Sequence, residues 1–115
     1  MKAFTSIEQS KKLAEILPLE SADMGWYYSR NPQAARNQMW LGTKTENADI
    51  TCWSLAALLE LLDYPQLSKD KLGSGKEGWM VSVYPDNCRY DSCWHDTPVD
   101  ACVEMILKLY ELNLL

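Results

Sequence analysis

Apolar residues recur at helical spacing in three stretches of the chain. The first stretch covers residues 6–17, where Thr5 or Ser6 can cap the helix and Pro18 ends it. The second covers residues 52–63, where leucines at i, i+3, i+4 and i+7 form one apolar side. Asp49 or Thr51 would cap this second helix, and the residue before Pro65 disfavours its continuation.

The third helix has the clearest start signal. Thr97 is suited to the N-cap, Pro98 to the first helical position and Asp100 to the first turn, where the helix dipole favours an anion. One broad apolar stripe follows, formed by Val99, Cys102, Val103, Ile106, Leu109 and Tyr110. The pattern predicts a helix that packs in the core and runs to the end of the sequence.

Between the helices, aromatic-rich runs at residues 25–29, 38–43, 78–84 and 89–95 are typical of strands. The last two runs are joined by residues 85–88, whose Pro and Asx residues favour a tight hairpin turn. A polar stretch containing Asn31 and Pro32 joins the first two through a longer loop. The glycine-containing segment 68–77 is interpreted as a flexible loop, and its lysines as solvated.

These elements follow one another in the order α-β-β-α-β-β-α. Neighbouring strands need no crossover, so the order predicts an α+β fold with a mainly antiparallel four-stranded sheet packed against three helices. We interpret residues 1–115 as a single domain, because the length is close to the most common domain size. The two α-β-β stretches are faintly similar to each other, but no repeat is assigned.

Residues 50–115 resemble a known family. The resemblance lies in a helix that begins around Trp53-Ser54-Leu55-Ala56, a strand that enters through Gly78-Trp79-Met80-Val81, and a closing helix capped by Thr97-Pro98-Val99-Asp100-Ala101. This segment is similar to the phage-borne ABA-sandwich domains, and to short prophage and mobile-element proteins of gut bacteria. The resemblance implies a phage-like bacterial origin and a fold; it implies no catalytic residues. The first half of the chain departs from it.

Charge and composition narrow the function classes. The net charge is −5, and the acidic excess lies in residues 51–115, with five Lys/Arg against ten Asp/Glu. An acidic chain without a basic stripe is a poor nucleic-acid binder, so no nucleic-acid partner is expected. The sequence contains no run of about 18 apolar residues, so it predicts no membrane-spanning segment. The first residues become charged too soon for a secretory signal, so we expect a cytoplasmic protein.

The densest polar cluster holds Cys88, Cys93 and His95. Strand alternation would place Cys93 and His95 on one face with Asp91, opposite Tyr90, Ser92 and Trp94. This spacing differs from that of structural zinc sites, and it is long for a thiol–imidazole hydrogen bond. We expect His95 at the surface near a strand end, and Cys93 packed or half-buried. A small thiol- or metal-dependent protein using this cluster is the alternative hypothesis.

Aromatic residues supply the favoured hypothesis. The chain has five tryptophans, and the strands carry a candidate binding set: Trp26, Trp40, Trp79, Trp94 and Tyr90. These rings either fill a core or form an exposed patch for a partner. Together with the lack of a catalytic set, the patch favours a non-enzymatic protein-interaction module that needs no cofactor. Its partner would be another protein or a second copy of the chain.

Overall fold

The structure, a computed structural model, describes residues 2–28, 39–44 and 47–115. In these ranges the chain forms three helices and six strands. They are α1 (Ile7–Ala14), β1 (Met24–Tyr28), β2 (Met39–Thr43), β3 (Ile50–Cys52), α2 (Leu55–Glu60), β4 (Gln66–Lys71), β5 (Glu77–Val83), β6 (Tyr90–Asp91) and α3 (Pro98–Glu111). Single 3-10 turns lie at Leu19–Ser21 and Pro85–Asn87.

The strands form two sheets. The first sheet has the order β2-β1-β3 and the second the order β4-β5-β6, and every pairing is antiparallel. The predicted α+β class and the antiparallel pairing are therefore confirmed. The prediction of one four-stranded sheet with the order α-β-β-α-β-β-α is wrong, because each half of the chain contributes one further strand. The central strand is the first of its sheet in one half and the second in the other, which gives no support to a repeat.

The strand missed in the first half is β3. Its residues include β-branched Ile50 and Thr51, and the run ends at Cys52, where the sequence predicted the start of a helix. Helix α2 begins three residues later, because Ser54 is its N-cap and accepts a hydrogen bond from the Ala57 amide at 3.2 Å. Neither of the predicted caps, Asp49 and Thr51, fills this position.

The strand missed in the second half is β4. The segment expected to be a flexible loop pairs with β5 as far as Lys71↔Glu77, which leaves only residues 72–76 as a turn. The Leu72 amide donates to the Lys76 carbonyl at 2.8 Å, and Gly75 has a positive φ of 84° that suits a glycine. The sequence did not predict β4 because its charged residues are typical of a solvated loop. Charged side chains are, however, also common on edge strands.

The first and third helices begin where the sequence predicts. Ser6 and Gln9 form a reciprocal capping box at the start of α1. Thr97 caps α3, with Pro98 in its first turn. The predicted 85–88 turn is also confirmed, since β5 and β6 pair across it. The other predicted strand ends, Ser29 and Gln38, and the loop with Asn31 and Pro32 lie outside the described residues.

One apolar cluster holds the three helices and the second sheet together. Its largest fully buried members are Trp53, Leu13, Leu58, Met105, Ile106, Val81, Val83 and Val99. Helix α3 supplies seven of the buried residues in this cluster, between Val99 and Leu109, and packs on β5 and α2. The second sheet is therefore covered on one side by α3, as its apolar stripe predicts.

Residues before α1 are also part of the fold. Phe4 bridges to Ser54, and the Thr5 amide donates to the Trp53 carbonyl at 2.9 Å. The Thr5 hydroxyl lies 2.7 Å from the Ser10 hydroxyl and accepts from the Trp53 amide at 3.1 Å. Because Thr5 and Ser10 are fully buried, these bonds satisfy polar groups that would otherwise be costly to bury.

A β-bulge after β6 changes the side of the sheet to which the following side chains point. Asp91 pairs with Ser82 and His95 pairs with Trp79, so three residues lie opposite two residues of β5. His95 therefore shares the helix-facing side with Tyr90, whose partner is Val83. The predicted regular alternation, with His95 on the same face as Asp91 and opposite Tyr90, is wrong.

Candidate functional site

The structure divides the predicted binding residues between the two sheets. Trp26 and Trp40 lie in the first sheet, but on opposite sides of it: Trp26 pairs with Leu41 and Trp40 with Tyr27. Trp79, Tyr90 and Trp94 belong to the second sheet and the strand that follows it. The five aromatic residues therefore do not form one patch.

Trp26 has a packing role. Its ring is half-buried and meets Phe4 edge to face, with ring centroids 5.8 Å apart. Its indole N–H is buried and has no hydrogen-bond partner among the described residues. Trp26 thus holds the N-terminal segment on the first sheet.

Trp40 is the most exposed tryptophan among the described residues, with 58% of its surface accessible. It lies on β2, which is a terminal strand of its sheet and has the uncharged sequence Met39-Trp40-Leu41-Gly42-Thr43. An exposed edge strand normally carries charged residues or proline, because its free backbone groups can otherwise pair with another chain. Within the described part of the chain, β2 has neither.

The hydrogen-bond pattern shows which backbone groups of β2 point away from β1. The Lys44 amide donates to the Asp23 carbonyl at 3.2 Å, which continues the β1–β2 ladder by one residue. Bonds alternate along an antiparallel strand, so Gly42 and Trp40 also point toward β1. The N–H and C=O of Met39, Leu41 and Thr43 therefore face the outer edge.

The Tyr27 ring stiffens this part of the sheet. Gly25 and Gly42 are register partners, and the ring lies over both: a Cβ added to Gly25 would be 3.3 Å from the ring, and one added to Gly42 would be 3.5 Å from it. The Tyr27 hydroxyl donates to the Thr43 carbonyl at 2.6 Å. The ring compensates for the two missing side chains, and its hydroxyl ties β1 to β2 beside the exposed Trp40.

The terminal strand of the second sheet is different. In β4, Lys69 forms an ion pair with Glu77 at 3.0 Å and places its ammonium 5.3 Å from the centre of the Trp79 ring. Asp70 and Lys71 add further charges to this edge. The two sheets thus contrast: β4 is protected against strand pairing by charge, and β2 is not.

Two residues of the alternative hypothesis, Cys93 and His95, contact Glu104 of α3. His95 Nε2 lies 3.0 Å from one carboxylate oxygen of Glu104, and the Cys93 amide donates to the other at 2.8 Å. The bulge makes this possible by turning His95 toward the helix. Glu104 therefore ties the last strand to α3.

The electrostatics of this cluster do not favour a thiolate. The Glu104 carboxylate accepts a hydrogen bond from the Cys93 thiol and repels its ionised form, which raises the pKa of Cys93. Burial opposes ionisation of Glu104, but hydrogen bonds from the Cys93 amide and His95 outweigh it, so its pKa is lowered. Nucleophilic cysteines need the opposite shift. Cys93 is also exposed, not packed or half-buried as expected.

The other predicted residues are spread out. Cys88 is exposed, whereas Cys52 and Cys102 are buried. Burial raises the pKa of Cys102 to about 12. Trp94 is 40% exposed, and Tyr90 packs against the edge of the core. No group of three His, Cys, Asp or Glu side chains in the described ranges could hold a metal ion.

Three residues of these sites were not singled out in the sequence. Glu104 is one acidic residue on an amphipathic helix, and only the bulge brings it to His95. Tyr27 and Leu41 gain their roles from the register of β1 with β2. The one available signal was the pair of glycines, Gly25 and Gly42, in predicted strands beside aromatic residues, a pattern typical of close ring packing.

Comparisons of the sequence with protein-family models and curated proteins, and of the structure with solved structures, gave no match. Of the helices that the structure describes, none has the length and apolar character needed to cross a bilayer.

Proposed function

We propose that this chain is a non-enzymatic protein-interaction module of phage or mobile-element type, and that it binds its partner along β2. The observation that carries the proposal is the 58% exposure of Trp40 on an uncharged terminal strand. A partner segment in extended conformation would add to the first sheet as a further strand. Its backbone would bond to Met39, Leu41 and Thr43, and Trp40 would contact its side chains.

The backbone of β2 and the Trp40 ring would contribute to binding in different ways. Backbone hydrogen bonds supply affinity without regard to sequence, and an exposed aromatic ring supplies selectivity through its large apolar area. Trp40 is well placed for this role because Tyr27, directly opposite it, fixes the local backbone. A rigid binding edge loses little conformational entropy on association.

The cluster around Glu104 supports the non-enzymatic part of the proposal. A raised thiol pKa weakens Cys93 as a nucleophile, because less of the thiol is ionised at neutral pH. The pair has a structural use, since it joins the last strand to α3.

A display library of random peptides, selected on the immobilised protein, tests the proposal. The key variant is Thr43→Pro: Thr43 is exposed and its N–H faces outward, so proline removes an edge donor without breaking the β1–β2 ladder. Thr43→Val, which keeps the N–H, is the matched control. We expect enriched peptides of strand-forming sequence that bind the wild type and Thr43→Val and fail on Thr43→Pro.

Trp40→Ala is expected to weaken binding of the same peptides about tenfold or more, as loss of an aromatic anchor does. Circular dichroism confirms that each variant is folded. The proposal is wrong if no peptide is enriched over uncoated surface, or if the enriched peptides bind Thr43→Pro as well as the wild type.

A further inference from the structure

We infer that β2 pairs with β2 of a second copy of this chain, antiparallel and about a twofold axis at Leu41. The inference rests on the proposed function, since it uses the same edge, and it names the partner. A twofold pairing of antiparallel edge strands requires the axis to be perpendicular to the sheet. Residues opposite each other then lie on the same side of the sheet.

The outward groups of β2 suit this axis. Leu41 points its N–H and C=O away from β1, so it would exchange two hydrogen bonds with Leu41 of the second copy. Met39 and Thr43 would lie opposite each other, and the Thr43 N–H would donate to the Met39 carbonyl of the second copy, whereas the Thr43 carbonyl stays bonded to the Tyr27 hydroxyl of its own chain. An axis at Leu41 is the only one that uses the whole strand Met39–Thr43 in both copies.

Side chains on the Trp40 side of the sheet are complementary in the same register. Trp40 would lie directly opposite Gly42 of the second copy, a residue without a side chain of its own. The second copy's Tyr27 ring passes that glycine, about 3.5 Å from where a Cβ would be, and would form the floor under the indole. The twofold axis repeats this contact, so the exposed surface of Trp40 is covered in both copies.

Charge distinguishes this edge from the other one. No charged residue of β2 would meet its own copy across the axis. A similar pairing of β4 about Lys69 would place two ammonium groups opposite each other, which disfavours it. One strand pair alone buries less than the roughly 1,200 Å² of a stable interface, so we expect a weak dimer that forms with rising concentration.

Site-specific cross-linking of the full chain tests the register. In a background with Cys88→Ser and Cys93→Ser, which removes the exposed thiols, Leu41→Cys and Thr43→Cys are compared using a short bis-methanethiosulfonate reagent. The two residues at position 41 would have Cα atoms about 5.5 Å apart. The two at position 43 would be offset by four residues, about 13 Å. We expect cross-linked dimer from Leu41→Cys and at least several-fold less from Thr43→Cys.

Sedimentation of unlabelled protein provides the second measurement. The weight-average mass should rise toward the dimer value with concentration for the wild type and Thr43→Val, and stay near the monomer value for Thr43→Pro. Equal cross-linking at positions 41 and 43, or a wild type that stays monomeric, overturns the inference. If that monomer still selects strand-forming peptides, the proposed function stands and only self-pairing fails; if it selects none, both fail.

Discussion

Glu104 controls the chemistry of one residue in particular, the exposed Cys93. Its carboxylate accepts from the thiol and opposes the negative charge of a thiolate, so the pKa of Cys93 is raised. We predict that Glu104→Gln speeds alkylation of Cys93 by iodoacetamide at about pH 8 by about three- to tenfold, because one unit of pKa changes the thiolate fraction about tenfold. Mass spectrometry of the modified peptide measures the rate.

Two internal comparisons sharpen this measurement. Alkylation of Cys88, the other exposed cysteine, should not change in the variant. Asp96→Asn removes an equal charge from an exposed carboxylate nearby and should leave Cys93 unaffected. An unchanged or slower Cys93 rate in Glu104→Gln would show that the carboxylate does not restrain the thiol. Elemental analysis of the same samples tests the metal hypothesis for Cys88, Cys93 and His95.

At the scale of elements, the bulge after β6 depends on Ser92. Its buried hydroxyl accepts from the Val81 amide at 3.0 Å and donates to the Cys93 carbonyl at 2.8 Å, which replaces a ladder bond that the extra residue displaces. We predict that Ser92→Ala lowers the free energy of unfolding by about 1–3 kcal/mol, since it leaves the Val81 N–H buried without this acceptor. Urea denaturation measures the change.

Ser68→Ala, on the exposed β4, is the matched control and should change stability by less than about 0.5 kcal/mol. Hydrogen exchange gives a local measure: the Val81 amide should exchange faster in Ser92→Ala. If both variants are equally stable and Val81 remains protected, the serine is not what supports the bulge.

The elements differ in how far the sequence could predict them. Helices α1 and α3 begin as predicted because capping is local: Ser6 with Gln9, and Thr97 with Asp100, lie three residues apart. Strand β3 was hidden, because its run Ile50-Thr51-Cys52 is too short to show alternation and joins an apolar helix.

Non-local pairing limits the prediction of the site in the same way. Which face His95 occupies depends on one unpaired residue in the strand after β6, and that residue is set by register with β5. The position of β2 as a terminal strand and the exposure of Trp40 are likewise not specified by the strand sequence. The residue types of both surfaces were predictable, and their groupings were not.

At the scale of the whole molecule, Asp100 joins the starts of α1 and α3. It accepts from Lys2 and from the Gln9 side chain, each at 2.8 Å, and from the Thr97 hydroxyl at 2.8 Å. Partial burial would raise the pKa of Asp100, but these three donors together outweigh it, and the pKa is lowered. The carboxylate therefore stabilises the folded chain in its ionised form.

We predict that Asp100→Asn lowers the free energy of unfolding by about 1 kcal/mol near pH 6, a figure that allows for solvent screening. A lowered pKa means that this contribution is present above about pH 4 and is lost as the pH falls through the folded pKa. The difference between wild type and variant in urea denaturation should therefore shrink near pH 3. Asp96→Asn should show neither effect, and a difference that persists at low pH would contradict the assignment.

The pairing of residues 3–5 with 53–55, together with the Lys2–Asp100 ion pair, has a consequence for the order of events during synthesis. Residues 2–5 leave the ribosome well before either set of partners exists. They remain unpaired until residues 53–55, and then Asp100, have been synthesised. These residues are thus made before their partners and fixed only after them, and long-range closure of this kind is expected to slow folding.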